Sequence, residues 1–382
     1  MNLLVDFSQI PIQKVGVGVY GLNLISNLEP DTTSRYYVLV QDDDNSLDAC
    51  ESNGIILIRI SSKKCRKLVN RLLLEQVYIP YLVYKYKIDV IHSLHYSFPV
   101  MTRARRIVTV CDMIFFKYPE LHLRSKVLYF RFFIWLTTYL ADKVICISKS
   151  TERDYLDFFR VKPNLTTVIE LGVDQAYNPN IDRAEIRALL KKYEIDGEYI
   201  LFIGTIEPRK NISNLIFAFA KLVKDESPLR LVIVGKKGWH YESVFSLVSE
   251  LRLVDKVIFT GFVEESEKPA LLVGARMFVY PSLYEGFGIP VLEALACGVP
   301  TITSNLSSMP EVAGNAAILV DPSNVEDIHA ALAKLYCDEA LSAVLRERAL
   351  IQSSKFSWNM MAEKTVEVYK AVLSDAAQPK VG

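Results

Sequence analysis

The stretch YPSLYEGFGIPVLEALACGVP, residues 280–300, joins a strand end, a glycine-rich loop and a helix. The apolar run MFVYPS leads into it, and Pro290 suits the first turn of a helix, where the missing N–H costs no hydrogen bond. Glu285 and Glu293 stand eight positions apart on either side of the glycines. This pattern is typical of a parallel α/β sheet, which binds ligands beyond the carboxyl ends of its strands.

The alternation of apolar strands and helices extends over the whole chain in two series. Strands are predicted in LLVDF, YYVLVQ, IILIRI, DVIHSL, RIVTVCD and DKVICIS, and then in YILFIGT, LRLVIVG, KVIFTGF, MFVYPS and TITSN. Between the series, residues 165–180 are rich in turn residues and proline. We therefore predict an α/β protein with two doubly wound, Rossmann-like domains, residues 1–174 and 175–358, that face a central cleft. A final helix at about 359–375 could pack back on the first domain, although its amphipathic pattern alone allows either one.

The composition indicates a globular protein, and the distribution of charge indicates which partners it could bind. Of 382 residues, 51% are hydrophobic and 23% are charged, which is typical of a globular chain. The net charge is zero, yet residues 59–131 hold 15 Lys and Arg against 4 Asp and Glu. That segment is a candidate surface for a polyanion or an anionic membrane. Nucleic acid is not an expected partner, because the neutral chain carries no recognised binding motif.

Basic residues alternate with aromatic and aliphatic ones in residues 63–87 and 123–140. This mixture is typical of an interfacial surface on anionic lipid, whereas core-packed helices with solvated basic faces are the alternative. The first residues lack a basic segment followed by a long apolar run, so no signal peptide is expected. No apolar run reaches the roughly 18–20 residues of a spanning helix. We expect a cytosolic protein.

Six cysteines are scattered without metal-like spacing, which predicts free thiols in a reducing compartment. They are Cys50, Cys65, Cys111, Cys146, Cys297 and Cys337. The acidic run Asp42–Asp44 reads as a solvated turn rather than as a metal-binding pair. No metal site is therefore predicted.

Two loops could hold an anion. Gly16 and Gly18 lie between the first strand and the first helix, where glycines let backbone amides approach a phosphate, although a plain tight turn fits equally well. A nicotinamide site is the weaker interpretation, since the full dinucleotide fingerprint is missing. In the second series, the strand before Gly204 leads to Arg209 and Lys210. Two cations at a strand's carboxyl end could neutralise a diphosphate, or they could be a solvated surface pair.

The two acids of the opening stretch suit a nucleotide ligand. Glu293 lies about one turn into its helix, so it could accept two hydrogen bonds from a ribose diol. Glu285 precedes the glycines and would lie nearer a sugar or a phosphate. Helix-capping glutamates without a catalytic role remain the alternative.

The motifs EGFGIPVLE, GTIEPRKN, the GVG loop, LGVD, VIVGKKGW, FTGFV and ACGVP occur in this order over essentially the whole chain. Together they resemble glycosyltransferase family 4, whose members are retaining GT-B enzymes that use nucleotide-sugar donors. The resemblance implies that Arg209 and Lys210 hold the donor diphosphate, that Glu285 contacts the donor sugar and that Glu293 holds the ribose. The implied further donor contacts are Gly16, Gly18, Gly204, Val263, Gly286, Phe287 and Gly288. No metal or other cofactor is implied, because fixed cations can stabilise the leaving group.

One position departs from the family pattern. Where the family reads His-Asp, this chain has Cys111-Asp112. In the family that histidine contacts the donor sugar, commonly near its 6-hydroxyl, and a neutral thiol is a poor substitute. Either the donor is a 6-deoxyhexose such as rhamnose, or another group, for instance His92 or His95, supplies the contact.

The expected function is therefore a retaining hexosyltransferase. Mannose from a GDP-linked donor is the first expectation, and the expected acceptor is a lipid-linked or growing polysaccharide such as O-antigen. For a lipid-linked acceptor, the resemblance implies a cytoplasmic protein that is peripheral on the inner face of the cytoplasmic membrane. Three alternatives stay open: a rhamnosyltransferase of the same fold, a glycogen- or sucrose-type synthase with a soluble acceptor, and a nucleotide-sugar-binding protein without turnover. Glu285, Arg209 and Lys210 are the expected catalytic residues.

Overall fold

The chain divides into two compact units. The computed structural model describes residues 1–62, 68–223 and 228–377. The first unit comprises Met1–Gly172 together with the final segment from Trp358, and the second comprises Val173–Ser357. The sequence placed this division between residues 174 and 175. Cys65 and the basic residues 63–67 lie outside the described residues.

Within the described residues, the first unit contains a sheet of seven parallel strands in the order β3-β2-β1-β4-β5-β6-β7. The strands are β1 Asn2–Asp6, β2 Arg35–Gln41, β3 Ile55–Ile60, β4 Val90–Ser93, β5 Arg105–Val110, β6 Lys143–Cys146 and β7 Thr166–Val168. The helices are α1 Val17–Ser26, α2 Leu68–Leu73, α3 Ile79–Tyr86, α4 Ile114–Lys117, α5 Arg124–Leu140 and α6 Lys149–Phe158. A π-helical turn, Leu74–Tyr78, joins α2 to α3.

The second unit has six parallel strands in its described part, in the order β10-β9-β8-β11-β12-β13. They are β8 Tyr199–Ile203, β9 Arg230–Val234, β10 Val257–Gly261, β11 Met277–Tyr280, β12 Thr301–Ser304 and β13 Ala317–Val320. The helices are α7 Arg183–Lys192, α8 Ile212–Leu222, α9 Glu242–Glu250, α10 Lys268–Gly274, α11 Ile289–Ala296, α12 Met309–Ala313, α13 Val325–Cys337 and α14 Glu339–Ser353. Every strand predicted from the sequence is present.

Two short strands were not predicted. Residues 165–180 were expected to form turns, but Thr166–Val168 pairs with β6, and Ala317–Val320 pairs with β12. Both strands lie at sheet edges, where partial exposure removes the continuous apolar run that identifies a buried strand.

The final helix, α15 Trp358–Ala377, belongs to the first unit. Its Tyr369 is fully buried, and the hydroxyl lies 2.7 Å from Nδ1 of His92 on β4. Nε2 of His92 lies 2.8 Å from Oγ1 of Thr109, which in turn contacts the hydroxyl of Tyr20 at 3.0 Å. Buried polar groups of α15, β4, β5 and α1 are thereby satisfied in one chain of hydrogen bonds.

Each sheet reverses its strand order at one point. A reversal occurs between β1 and β4 in the first unit and between β8 and β11 in the second. Strands on the two sides of such a point send their connections in opposite directions, so the loops after them part and leave a crevice for ligands. Asp6 and Ser93 end the two strands of the first reversal point, and the loops holding Gly204 and Pro281 follow the strands of the second.

The described part of the chain has no helix that is both long and apolar enough to cross a membrane. The described cysteines are free thiols, as predicted: Cys50, Cys111, Cys146, Cys297 and Cys337. Asp44 was expected in a solvated turn, but it is 1% exposed and forms an ion pair with Lys14. The carboxylate of Asp44 can be buried because Lys14 neutralises its charge.

Candidate active site

The candidate site occupies the reversal point of the second unit. After β8, Gly204 leads to a 3₁₀ turn, Pro208–Lys210, and after β11 the chain continues through Ser282 to Glu285. The backbone N–H of Leu283 donates to the carbonyl of Arg209 at 2.9 Å, and the Ser282 hydroxyl donates to the same carbonyl at 3.1 Å. These bonds hold the two loops together, so residues more than seventy positions apart in sequence share one site.

Glu285 forms ion pairs with both of the basic residues predicted at the site, Arg209 and Lys210. Its Oε2 lies 2.7 Å from Nη1 of Arg209, and its Oε1 lies 2.5 Å from Nζ of Lys210. The side chains of all three are largely buried. The alternative of a solvated surface pair for Arg209 and Lys210 is therefore wrong. The guanidinium group of Arg209 and the ammonium group of Lys210 both form ion pairs with a buried carboxylate.

The electrostatics of this cluster are strongly perturbed. Burial acts to raise the pKa of Glu285, but the charges of Arg209 and Lys210 outweigh it and lower the pKa to about 2. Burial lowers the pKa of Lys210, although the neighbouring Glu285 opposes that shift. The carboxylate of Glu285 is therefore ionised at neutral pH and is fixed between two cations.

Three neighbours of the cluster formed by Arg209, Lys210 and Glu285 were not predicted from the sequence. The Tyr280 hydroxyl accepts from Nζ of Lys210 at 2.6 Å and donates to Glu285 at 3.0 Å, while the Ser282 hydroxyl donates to Glu285 at 2.7 Å. Glu207 accepts from Nη2 of Arg209 at 2.7 Å. Tyr280 and Ser282 could have been predicted from the sequence, since both lie between the end of β11 and the glycine loop.

The glycine loop is held at the start of α11. The Ser308 hydroxyl donates to the carbonyl oxygens of Glu285 and Phe287 at 3.0 and 2.6 Å. Gly288 precedes the helix with a φ of 115°, and a Cβ there would lie 2.3 Å from Cε of Met309. The backbone conformation favours glycine, and an added Cβ would also have to displace the end of the Met309 side chain. Gly286 and the buried Phe287 complete the loop.

Glu293 lies on α11 in a different environment. It is 6% exposed, and burial raises its pKa to about 8, with Glu265 and Asp174 acting in the same direction. Lys268 and the hydroxyl of Tyr177 act to lower it. The group is therefore mostly protonated at neutral pH. Tyr177 also donates to Glu265. This tyrosine was not predicted as a site residue, because its place after the LGVD motif is its one distinguishing feature in the sequence.

Two other predicted donor contacts lie near strand ends of the second unit. Gly204 follows β8, and its N–H donates to the carbonyl of Val234 at 2.8 Å. Val263 follows β10 and is 2% exposed. Its side chain is part of the core, so any contact that this residue makes with a ligand would come from its backbone.

The two glycines predicted to contact the donor in the first unit, Gly16 and Gly18, have different environments. Gly16 precedes α1 with a φ of 49°, and a Cβ there would meet no atom within 4 Å. Gly18 was expected in the loop but is the second residue of α1, and it is buried with Ile10 Cγ2 3.2 Å from an added Cβ. Gly18 therefore serves close packing against the loop before the helix.

The predicted sugar contacts of the first unit separate into two groups. Cys111 and Asp112 follow β5, and burial raises the pKa of the Cys111 thiol well above its usual value. That thiol lies 3.9 Å from the carbonyl oxygen of Leu94, and the Asp112 carboxylate accepts from the Tyr96 hydroxyl at 2.7 Å. Cys111 is thus a neutral, apolar group, as the sequence suggested.

The histidines do not share one environment. Both ring nitrogens of His92 are occupied inside the unit, and burial lowers its pKa to about 3. With an exposed fraction of 0%, His92 has no nitrogen to offer a sugar, and we do not retain it as a contact. His95 is half-buried between Tyr96 and Phe130, and its Nδ1 lies 3.5 Å from Arg71. Burial, followed by Arg71, lowers its pKa to about 3.

Among the described residues, no group of three or more His, Cys, Asp or Glu side chains is placed to hold a metal ion. The positive charges at the reversal point of the second unit come from Arg209 and Lys210, which are paired with Glu285 and Glu207. A cluster of this kind is suited to binding a phosphorylated ligand and to stabilising negative charge on it.

Two family models match the chain in sequence. Residues 16–177 match Glycosyltransferase Family 4, and residues 182–352 match Glycosyl transferases group 1. The chain is 32% identical over 288 residues to the O-antigen chain mannosyltransferase B of Escherichia coli, covering 75% of each protein. It is 33% identical over 246 residues to the serotype-specific mannosyltransferase WbdA of Escherichia coli, of which it spans 30%.

The fold has close counterparts among solved structures. Anabaena HepE in complex with UDP-glucose superposes with a TM-score of 0.78 over 97% of this chain and 100% of that chain, at 17% identity. At that identity the likeness concerns the fold, which is the α/β fold of GT-B glycosyltransferases. The two sheets, the family models and the 32% identical relative agree. The chain belongs to glycosyltransferase family 4, group 1.

Proposed function

We propose that the protein transfers mannose, with retention of anomeric configuration, from a GDP-linked donor to a growing or lipid-linked polysaccharide of the O-antigen type. The ion cluster of Arg209, Lys210 and Glu285 at the reversal point of the second unit carries this proposal. The mannosyltransferase relatives support the sugar and the class of product. Glu293 would hold the ribose.

The cluster can supply the charge stabilisation that the reaction needs. Arg209 and Lys210 would bind the donor diphosphate, and a phosphate oxygen would take over part of the hydrogen bonding that Glu285 now provides. As the bond between the anomeric carbon and the phosphate oxygen breaks, the acceptor oxygen would attack on the same face. Its proton would pass to the leaving phosphate, whose growing charge the two cations stabilise. Fixed cations would serve here without a metal ion.

A 6-deoxyhexose donor is the second candidate. Cys111 is buried and neutral at the position where the family has a sugar-binding histidine, so this side chain offers a sugar no strong hydrogen-bonding group. A sugar that lacks the 6-hydroxyl would lose nothing at an apolar contact. The soluble-acceptor synthase and the binding protein without turnover remain the further alternatives.

The test is release of nucleotide from a donor panel by the full chain. The panel contains GDP-mannose, GDP-rhamnose, dTDP-rhamnose, UDP-glucose and UDP-N-acetylglucosamine, and chromatography follows slow hydrolysis and transfer. We expect turnover of GDP-mannose, and Glu285→Gln should lower kcat about 100- to 1,000-fold. Glu264→Gln, at an exposed acid of the same unit, is the matched control. Preference for a rhamnose donor would select the second candidate, and turnover of no donor would refute transferase activity.

We also propose that the first unit binds an anionic membrane surface. On α5 the side chains of Leu128, Phe132, Trp135 and Tyr139 follow one another at helical spacing on one face, and they are 43–70% exposed. Arg124 and Lys126 are exposed at the start of the same helix. An apolar stripe beside basic residues fits the headgroup region of anionic lipid.

A second exposed face supports the same proposal. Val69, Leu73, Val77, Tyr81 and Tyr84 recur on α2, the π-helical turn and α3, and a groove of about 940 Å³ lies among several of these side chains. The hydroxyl of Tyr129 on α5 donates to Glu75 of the π-helical turn at 2.9 Å, so the two helical segments are neighbours. Both faces could therefore meet the same lipid surface.

Vesicle sedimentation tests the membrane proposal. The full chain should sediment with phosphatidylglycerol vesicles, and less with phosphatidylcholine vesicles or at high salt, because added ions screen exposed charges. Replacement of Trp135 and Tyr139 together by serine should weaken binding, whereas Ile351→Ser, at an exposed apolar residue of the second unit, should not. Equal binding by both variants would contradict the assignment of this face.

A further inference from the structure

The backbone at Ser307 is strained. This residue lies between β12 and α12 with a φ of 51°, in the left-handed region that residues with a Cβ rarely adopt. Lys87, Glu194 and Arg252 also have a positive φ, but each lies just after a helix, where a left-handed residue is a common way to end it. Ser307 instead precedes a helix, so its conformation needs a different explanation.

The loop around Ser307 is a tight turn of a type that favours glycine. The N–H of Met309 donates to the carbonyl of Leu306 at 3.3 Å, which closes a four-residue turn. Ser307 has its positive φ at the first central position, and Ser308 has a φ of −81° and a ψ of −7° at the second. These angles correspond to a type II′ turn, in which glycine is preferred at the first central position. A serine there costs stability that a glycine would not.

The side chain of Ser307 contacts the proposed catalytic residue Glu285. Its Oγ accepts a hydrogen bond from the backbone N–H of Glu285 at 3.0 Å. The Ser308 hydroxyl donates to the carbonyl oxygen of the same residue, also at 3.0 Å. Successive side chains point to opposite sides in extended backbone, so the turn at Ser307 is what brings both hydroxyls to one residue. Two consecutive serines thereby hold both backbone polar groups of Glu285.

The position of the Glu285 carboxylate depends on this backbone. Its two oxygens form ion pairs with Arg209 and Lys210, so the Cα must be placed where the side chain can reach both. Gly286 follows directly, and a glycine restricts the backbone little. The loop therefore gains order from contacts outside it. Misplacement of a catalytic group by about 1 Å can cost about 100-fold in rate.

We propose that Ser307 is a positioning residue of the transfer reaction, whose hydroxyl holds the backbone of Glu285 so that the carboxylate stays between Arg209 and Lys210. A glycine would relieve the turn but would remove the hydroxyl, so the strained serine is retained for activity rather than for stability. Strain of this kind is typical of functional sites. The proposal rests on the proposed function, because it assumes that Glu285 acts in glycosyl transfer.

The first experiment separates the hydroxyl from the backbone conformation. With a donor that the full chain turns over, kcat should fall about five- to tenfold in Ser307→Gly and Ser307→Ala, since each loses one hydrogen bond. Ser307→Thr keeps a hydroxyl and should stay within about twofold of the wild type. The melting temperature of Ser307→Gly should exceed that of Ser307→Ala by about 2–8 °C, because glycine relieves the turn.

A merely structural role predicts a different order of activities. Glycine forms this turn best, so Ser307→Gly would then keep the wild-type kcat while Ser307→Ala would lose activity together with stability. That result would overturn the proposal. Ser307→Thr adds strain through its branched Cβ, and if it fails to fold, equal losses of kcat in the glycine and alanine variants at unequal melting temperatures still support the role of the hydroxyl.

Arg252→Gly is the matched control for relief of strain. Arg252 is exposed in the same unit and has a φ of 56°, close to that of Ser307. The variant should raise the melting temperature and leave kcat unchanged. A fall in kcat equal to that of Ser307→Gly would assign the effect to altered stability and overturn the role of the hydroxyl.

A double-mutant cycle tests whether Ser307 acts through Glu285. Added to Glu285→Gln, Ser307→Gly should lower kcat by less than about twofold, because the carboxylate that it positions is already absent. Losses that multiply in the double variant would contradict the positioning role, since they would show that the two residues act independently.

Hydrogen exchange reports the bond to Glu285 without any turnover. The amide of Glu285 should exchange faster in Ser307→Gly and Ser307→Ala, and as slowly as in the wild type in Ser307→Thr. Unchanged protection in the glycine and alanine variants would overturn the positioning role and leave the proposed function standing. Absence of any donor turnover by the wild-type chain would refute the proposed function instead, and the exchange rates would then still decide whether Ser307 positions Glu285.

Discussion

Two glutamates of one short segment have opposite ionisation behaviour. Arg209 and Lys210 lower the pKa of Glu285 to about 2 against the effect of burial, whereas burial raises the pKa of Glu293 to about 8. The residue type is the same, and the difference lies in whether a cation touches the carboxyl group. The spacing of the two acids was readable in the sequence, but their charge states were not.

Nucleotide binding should therefore depend on pH through Glu293. If the ribose hydroxyls donate to its carboxylate, binding requires the ionised form, so affinity for GDP should rise up to about tenfold per pH unit from about pH 6 and level off above about pH 8. Tyr177, Glu265, Asp174 and Lys268 are the charged or titratable groups that influence it. Calorimetric titration at several pH values measures this slope.

Glu293→Gln is the variant that checks the assignment. It should bind GDP with little pH dependence over that range, while Glu242→Gln, at an exposed acid, should keep the wild-type slope. The folded pKa of Glu293 lies above its ordinary value, so its contribution to stability is greatest below about pH 4.5 and declines as the pH rises toward 8. A wild-type affinity that is flat across the range would contradict the role of Glu293.

At the scale of elements, the start of α11 depends on backbone geometry. Gly288→Ala would place a Cβ against Met309 in addition to imposing a positive φ. We expect a loss of about 1–3 kcal/mol in the free energy of unfolding of the second unit, measured by urea denaturation. Gly261→Ala is the matched control, since its φ is 72° but an added Cβ meets nothing within 4 Å. Equal losses would show that contact with Met309 contributes nothing.

The secondary-structure elements also differ in how well the sequence alone predicts them. Buried strands such as β8 and β11 are continuous apolar runs and were recognised, whereas the edge strands β7 and β13 are short and partly exposed. Arg209, Lys210 and Glu285 were recognised because their motifs are local. The buried Glu75 and its hydrogen-bond partners Gln9, Ser97 and Tyr129 were not, because they come from segments that are far apart in sequence. Pairings between distant segments leave no periodic signal in any one of them.

On the scale of the whole molecule, the hydrogen bond between Tyr369 of α15 and His92 of β4 should stabilise the first unit. Tyr369→Phe leaves Nδ1 of the buried His92 without its partner, which should cost about 1–3 kcal/mol. Hydrogen exchange should show faster opening of β4, β5 and α1, with the strands of the second unit unchanged. Tyr336→Phe removes a 3.4 Å contact with Glu198 at a half-buried site and should have no such effect. Full protection of β4 in Tyr369→Phe would refute the role of this bond.

The discontinuous first unit also orders events during translation. Residues 1–172 leave the ribosome before the whole of Val173–Ser357, and α15 follows that segment. At about 5–20 residues per second, the nascent first unit waits roughly ten to forty seconds for its final helix. During that interval the surface around His92 that α15 later covers is open to chaperones and to misassociation. The first unit is thus begun before the second unit and completed after it.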